Sequence, residues 1–195
     1  MTPPGPDPAA FIMTFALGAS DSITLPLISS GTYDFYVDWG DGSAVDHITV
    51  WNQAERVHSY SGKPAGDYVV TITGTCTAWS FFTVNTSRLK VKSVNQWGDV
   101  GLSNLANGFR ACTNLLTIAS GMSSTVSNAG NVFYQCTSLT AIPSGLFDLM
   151  TSISGGGLAG AFFQCTSITS IPIDLFRNNT SITDLFSLFA NCTGL

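Results

Sequence analysis

Apolar and polar residues alternate through the first third of the chain. Phe11, Met13, Phe15 and Leu17 share one face of an extended segment, and Ile23, Leu25 and Leu27 share one face of the next, with 18–22 as the turn. Tyr33, Phe35, Val37 and Trp39 form a third apolar face, with Asp34 and Asp38 on the other side. Gly40-Asp41-Gly42 closes that segment, because Asp-Gly tolerates the positive φ of a tight turn. Residues 47–51, 56–60 and 67–73 read as further strands, with Tyr68, Val70 and Ile72 pointing one way. Six or seven short strands with regular turn signals predict a small β-sandwich. Residues 75–88, with Cys76, Trp79, Phe81 and Phe82, read as a last strand and a junction without a flexible linker.

Beyond residue 88 the pattern becomes a repeat. Phe133-Tyr-Gln-Cys136-Thr137-Ser-Leu139-Thr-Ala-Ile142-Pro143 returns as Phe162-Phe-Gln-Cys165-Thr166-Ser-Ile168-Thr-Ser-Ile171-Pro172. A looser copy runs from Phe109 through Cys112 and Leu115 to Ile118, and a shorter one, Phe189-Ala-Asn-Cys192-Thr-Gly-Leu195, follows at the end. Successive cysteines stand 24, 29 and 27 residues apart. Periods of this size predict a solenoid, in which each unit buries its apolar edge against its neighbours. Leu139 to Ile142 and Ile168 to Ile171 read as short strands ended by Pro143 and Pro172, since proline cannot donate to a ladder. Leu102, Leu105 and Phe109, like Ile182, Leu185 and Phe189, have helical spacing, so each unit is expected to pair a strand with a helix. The expected fold is therefore mainly β, a sandwich followed by an α/β solenoid.

Composition narrows the functional classes. Hydrophobic residues make up 45% and charged residues only 10%, which supplies a core and a surface of Ser, Thr, Asn and Gly. The net charge of −5 argues against a nucleic-acid or anionic-membrane partner, and the seven basic residues are scattered apart from Arg88, Lys90 and Lys92. Glu55 is the single glutamate, and the aspartates that make up the other acids favour turns over helix interiors. No apolar run is long enough to span a membrane, so membrane insertion is not expected. The first basic residue is Arg56, so the Pro-rich opening over 1–10 lacks the charged start of a secretory signal and reads as an extended arm.

Two family resemblances rest on specific residues. Asp38-Trp-Gly-Asp-Gly-Ser43, His58-Ser-Tyr60 and Gly66-Asp-Tyr-Val-Val-Thr-Ile72 resemble the PKD domain family, with an irregular insert over 50–57. The F-x-x-C-T-x-L-x-x-I-P units resemble BspA-like leucine-rich repeats. The first resemblance implies an Ig-like sandwich over 11–86 that serves as a spacer or binding module. The second implies leucine-rich repeats over 87–195 of an adhesion or recognition protein. Together they imply a surface-displayed, non-enzymatic protein binding a protein or glycan ligand, located outside the cell or on a virion. The alternative is a bacteriophage structural protein, a tail fibre or capsid decoration protein, contacting neighbouring subunits. The absence of a leader fits that alternative, since virion parts leave by lysis.

Candidate chemistry is sparse. Cys112, Cys136, Cys165 and Cys192 occupy one repeat position and are expected to stack as buried thiols, while disulfides and a metal site remain the other readings. No C-x-x-C pair is present and the two histidines lie in the sandwich, so no metal or cofactor is expected. Asp41 between Gly40 and Gly42, with Asp34, Asp38 and Asp46 nearby, reads as a structural turn rather than a calcium loop, which needs a D-x-D-x-D-G spacing. His58 has no nucleophile setting such as G-x-S-x-G, and Asp148, Asp174 and Asp184 are too dispersed for a glycosidase pair. No catalytic residue is therefore expected. Asn85, Asn178 and Asn191 stand in N-x-S/T sequons. Leu195 matches Leu115, Leu139 and Ile168 and no polar cap is seen, so the repeats are expected to be incomplete at the C-terminus: either further repeats continue the chain, or a partner subunit covers Phe189, Cys192 and Leu195 as an end interface.

Overall fold

Strand β1 (Phe11–Leu17) is the spine of the molecule, buried at six of its seven positions. A computed structural model describes residues 7–83 and 86–195; residues 1–6 of the arm expected over 1–10, and the Asn85 sequon, lie outside the described residues. The other strands are β2 (Ser22–Thr24), β3 (Tyr33–Asp38), β4 (Asp46–Ile48), β5 (Val57–Ser59), β6 (Gly66–Cys76), β7 (Val91–Gln96) and β8 (Thr117–Ile118). One sheet has the order β4-β3-β6-β1-β7-β8, and β2 pairs with β5 in a second. All pairings are antiparallel except β7 with β8.

The alternation in the sequence decides which face each strand buries. In β3, Tyr33, Phe35 and Val37 are buried and Asp34, Tyr36 and Asp38 are exposed. The small β2–β5 sheet closes over this apolar side. His58 of β5 stacks on Trp39 with centroids 4.7 Å apart, and Tyr60 packs on Tyr68 of β6 at 4.6 Å. Buried side chains then continue without interruption from Phe11 to Cys192. Phe11 lies edge-on to Trp79 at 5.4 Å and stacks on Trp97 at 6.0 Å, and Trp97 meets Phe109 at 5.9 Å. Strand β7, on the repeat side of the boundary expected at 86/87, is thus part of the same sheet as β1.

The repeat region corrects the expected α/β leucine-rich-repeat solenoid. Among the described residues there is no α-helix, only 3-10 helices of 3 and 5 residues at Ala54–Arg56 and Thr86–Lys90. The segments with helical spacing are runs of turns instead. Gly108, Arg110 and Cys112 each donate to the carbonyl three residues back, while Leu105, Asn107, Phe109 and Ala111 donate to Asn128, Gly130, Val132 and Tyr134 in the following copy. A helix would use all its N–H groups internally, and here every second one is directed outward. Left-handed φ values of 58° at Asn107 and 56° at Ala111 interrupt any helical run. The copies therefore lie on one another as tiers joined by backbone hydrogen bonds.

The repeat strands are corrected as well. Among the described residues only the first copy forms one, β8, paired in parallel with β7. Ala119 just after it donates its N–H to Val94 at 2.8 Å. The matching positions in the next two copies are Pro143 and Pro172, which have no N–H to continue the ladder.

The turn after β3 rests on Gly40 more than on Gly42. Both have positive φ, 74° and 80°, but a Cβ at Gly40 would overlap the Val69 carbonyl whereas one at Gly42 meets nothing within 4 Å. Gly40→Ala is expected to cost about 3 kcal/mol and Gly42→Ala about 1 kcal/mol. Chemical denaturation of the two variants checks this; equal losses would mean that the close approach to Val69 is not what fixes the turn.

Candidate functional site

Each carboxylate around the Gly40-Asp41-Gly42 turn has its own partner, so the turn does not gather a cation site. Asp41 has a side chain only 2% exposed; it accepts the Ser43 N–H at 2.9 Å and lies 3.3 Å from His58 and 3.7 Å from Lys63. Asp46 accepts the Trp39 indole N–H at 2.8 Å, Asp38 accepts the Gly40 N–H at 2.9 Å, and Asp34 lies 2.7 Å from His47. Burial pushes the Asp41 carboxyl up, but hydrogen bonds from Ser43 and His58 outweigh it and hold the group well below the usual carboxylate range. His58 is fixed between Asp41 and the Trp39 ring, so it serves the turn.

The repeat cysteines form an axial series. All five cysteines are free and buried. Cys136 donates its thiol to the Phe109 carbonyl at 3.2 Å, Cys165 to Phe133 at 3.0 Å and Cys192 to Phe162 at 3.0 Å. Burial pushes the Cys165 thiol up to about 12, and Cys112 and Cys136 well above the usual value. Cys76 stands apart, its thiol directed to the Ala78 carbonyl and raised by burial to about 12. Phe109, Phe133, Phe162 and Phe189 stack beside the thiols with centroids 5.9, 5.3 and 5.4 Å apart. The dispersed aspartates are partly brought together: Arg177 lies 2.7 Å from Asp148 and 3.9 Å from Asp174, whereas Asp184 caps the Phe186 N–H at 2.7 Å. Among the described residues no group of three or more His, Cys, Asp or Glu is placed to hold a metal, and no helix is long and apolar enough to cross a membrane.

The most distinctive surface is one that the sequence reading did not single out. The residue after each buried ladder phenylalanine is half-buried at the surface, giving Arg110, Tyr134 and Phe163 at one repeat position. Tyr134 and Phe163 stack at 4.8 Å with their planes 5° apart. The Arg110 guanidinium lies over Tyr134 at 4.1 Å and reaches Phe82 at 5.6 Å, so Phe82, 63% exposed, extends the strip. Beside Tyr134 and Phe163 opens a cleft of about 350 Å³ with Asn131, Ala159, Gly160 and Ser187 in its lining, flanked by Phe186, which is 73% exposed. Gly160 keeps the floor clear, since a Cβ there would overlap the Asn131 amide oxygen. The signal for this strip was present in the residue pair that opens each copy, Phe109-Arg110, Phe133-Tyr134 and Phe162-Phe163; Phe82 and Phe186 carry no such signal.

Comparison with known proteins finds no matching family model, no matching curated protein and no matching solved structure.

Two outcomes follow from this geometry. Maleimide is expected to label Cys112, Cys136 and Cys165 slowly in the folded protein and rapidly in denaturant, with Cys192, 8% exposed on the last tier, reacting first; mass spectrometry of timed samples reads the order, and rapid native labelling of all four contradicts the buried series. Because the folded Asp41 carboxyl is depressed, the stability it contributes is complete above its ordinary value of about 4 and is lost as pH falls toward the folded value. Asp41→Asn is expected to cost about 2 kcal/mol at neutral pH and to flatten the acid side of the melting profile, and an unchanged profile contradicts the assignment.

Proposed function

We propose that the chain is a non-catalytic recognition protein that displays the Phe82–Arg110–Tyr134–Phe163 strip and the adjoining cleft to a carbohydrate chain outside the cell. The observation that carries this reading is the exposed Phe186 ring beside a cleft lined by the stacked Tyr134–Phe163 pair. Exposed aromatic surface of this kind costs solubility unless something binds it. Rings with apolar faces and wet edges suit the C–H faces of sugar rings, while nearby amide and hydroxyl groups suit their hydroxyls. Asn131 and Ser187 supply those polar groups in the cleft lining. Arg110 meets no carboxylate within ion-pair range among the described residues, so its remaining N–H groups are open to a ligand oxygen. The resemblance of the first part of the chain to PKD domains, which implies a binding module, points the same way.

The tiers suit the task mechanically. The strip is carried on buried phenylalanines one residue away, which are stacked and fully enclosed at Phe109, Phe133 and Phe162. The aromatic surface is thus preorganised, and binding loses little side-chain entropy.

An oligosaccharide array followed by calorimetry on the best binder tests the proposal. Phe186→Ala and Tyr134→Ala are each expected to weaken binding by about tenfold or more, and Phe186→Ala is expected to leave the melting temperature unchanged because the ring is mostly in solvent. Absence of any oligosaccharide ligand, or binding that survives both substitutions, contradicts it.

A further inference from the structure

Cations are few in this chain, and most are already occupied. Lys63, Lys90, Lys92 and Arg177 each face an aspartate. Arg56 donates to the Leu25 carbonyl in the sandwich, and the Nε of Arg88 is buried. Arg110 differs from all of these. Among the described residues its guanidinium makes one hydrogen bond, to the Asn107 side-chain oxygen at 3.3 Å, and meets no carboxylate within ion-pair range. A guanidinium carries five N–H donors, so most of that edge is unused.

The group is nevertheless held in place. Asn107 is fixed by its own N–H, which crosses to the Gly130 carbonyl at 2.8 Å, and its side chain anchors Arg110. The Tyr134 and Phe82 rings lie 4.1 and 5.6 Å from the guanidinium carbon. Arg110 thus stands at the head of the strip, one tier before Tyr134 and two before Phe163. A planar fork held in this way matches both oxygens of a carboxylate, and little side-chain freedom is lost when it binds one.

The surrounding charge limits what can meet the strip. Tyr134 and Phe163 are uncharged, as are Asn131 and Ser187 in the cleft lining. On the cleft's other side the exposed Asp184 accepts the Phe186 N–H at 2.7 Å. The whole chain carries a net charge of −5. A polymer with a negative charge on every sugar would bring one of them toward Asp184 and be repelled by the protein as a whole. A chain with one acid at the Arg110 end meets neither obstacle.

We propose that the strip takes a sparsely charged acidic oligosaccharide, with neutral sugars over Tyr134 and Phe163 and the carboxylate of a single uronic acid on the Arg110 guanidinium. This rests on the carbohydrate reading above and adds to it the charge and the direction of the ligand.

The test is an oligosaccharide array in which each uronate-containing member is paired with its carboxyl-reduced form, where a neutral hydroxymethyl group replaces the carboxylate. Sulfated members without a carboxylate and uniform polyuronates complete the array. Calorimetry on the best pair then compares the unaltered chain with Arg110→Gln and Arg110→Lys. The acidic member is expected to bind about tenfold more tightly than its reduced form. Arg110→Gln is expected to abolish that ratio and Arg110→Lys to retain part of it, whereas a purely structural role for Arg110 would weaken both forms alike and leave the ratio standing. A ratio that survives Arg110→Gln therefore overturns the proposal, as does a preference for sulfated members or polyuronates. Equal binding of the acidic and reduced forms overturns it while leaving the carbohydrate reading in place, and an array without any binder overturns both.

Discussion

The one-way transfer of backbone N–H groups from each tier to the carbonyls of the next is the constraint on which the repeat region depends. It requires every second donor to leave its own tier, so the chain must alternate between residues bonded three back and residues bonded across. That alternation demands left-handed backbone at two positions per tier, Asn107 and Ala111, Asn131 and Gln135, Gly160 and Gln164, Ser187 and Asn191. Once it is set, the side chains have no further choice. The phenylalanine between the two left-handed residues packs into or against the core, and the residue after it is half-buried at the surface. Buried thiols then bind the tiers in the reverse direction, from each cysteine to the phenylalanine carbonyl of the copy before.

The stack is anchored because the sandwich supplies its first layer. Trp79 and Phe81 donate their N–H groups to Asn104 and Asn107 at 3.1 and 3.0 Å, as a tier would, while Phe11, Trp79 and Trp97 extend the apolar column down to β1. Ser80, in the same stretch, donates its N–H to Pro26 at 3.0 Å and its hydroxyl to Ala106 at 2.9 Å, fastening sandwich and stack together. Lys90 and Lys92, two of the three clustered basic residues, pair with Asp21 and Asp67. Their charge is thereby used within the fold.

Legibility in the sequence followed the period of each pattern. The alternation of Phe11, Met13, Phe15 and Leu17 has the period of a strand and can be read as nothing else, so β1 and β3 could be placed almost to the residue. The repeat period was equally plain in the four F-x-x-C units. Conformation within the repeat was not, because Leu105 and Phe109 at i, i+4 satisfy a helix and a run of turns alike. Residues that tolerate left-handed backbone could have separated the two: Asn107, Asn131, Gly160 and Ser187 fall at one repeat position, where a helix would prefer none of them. The turn at Asp41 was legible from its motif, but the close approach of Val69 that singles out Gly40 depends on a strand distant in sequence. The aromatic strip was half legible, since Arg110, Tyr134 and Phe163 share a repeat position while Phe82 and Phe186 reach it only through folding.

The account is tested most directly by scalar couplings across hydrogen bonds, measured by nuclear magnetic resonance on the isotopically labelled chain. Couplings are predicted from the Asn107 nitrogen to the Gly130 carbonyl, from Asn131 to Ala159 and from Phe162 to Leu188, each joining one tier to the next. Couplings from these nitrogens to carbonyls four residues back would instead describe helices, and would contradict the tiered arrangement on which the thiol series and the aromatic strip both rest.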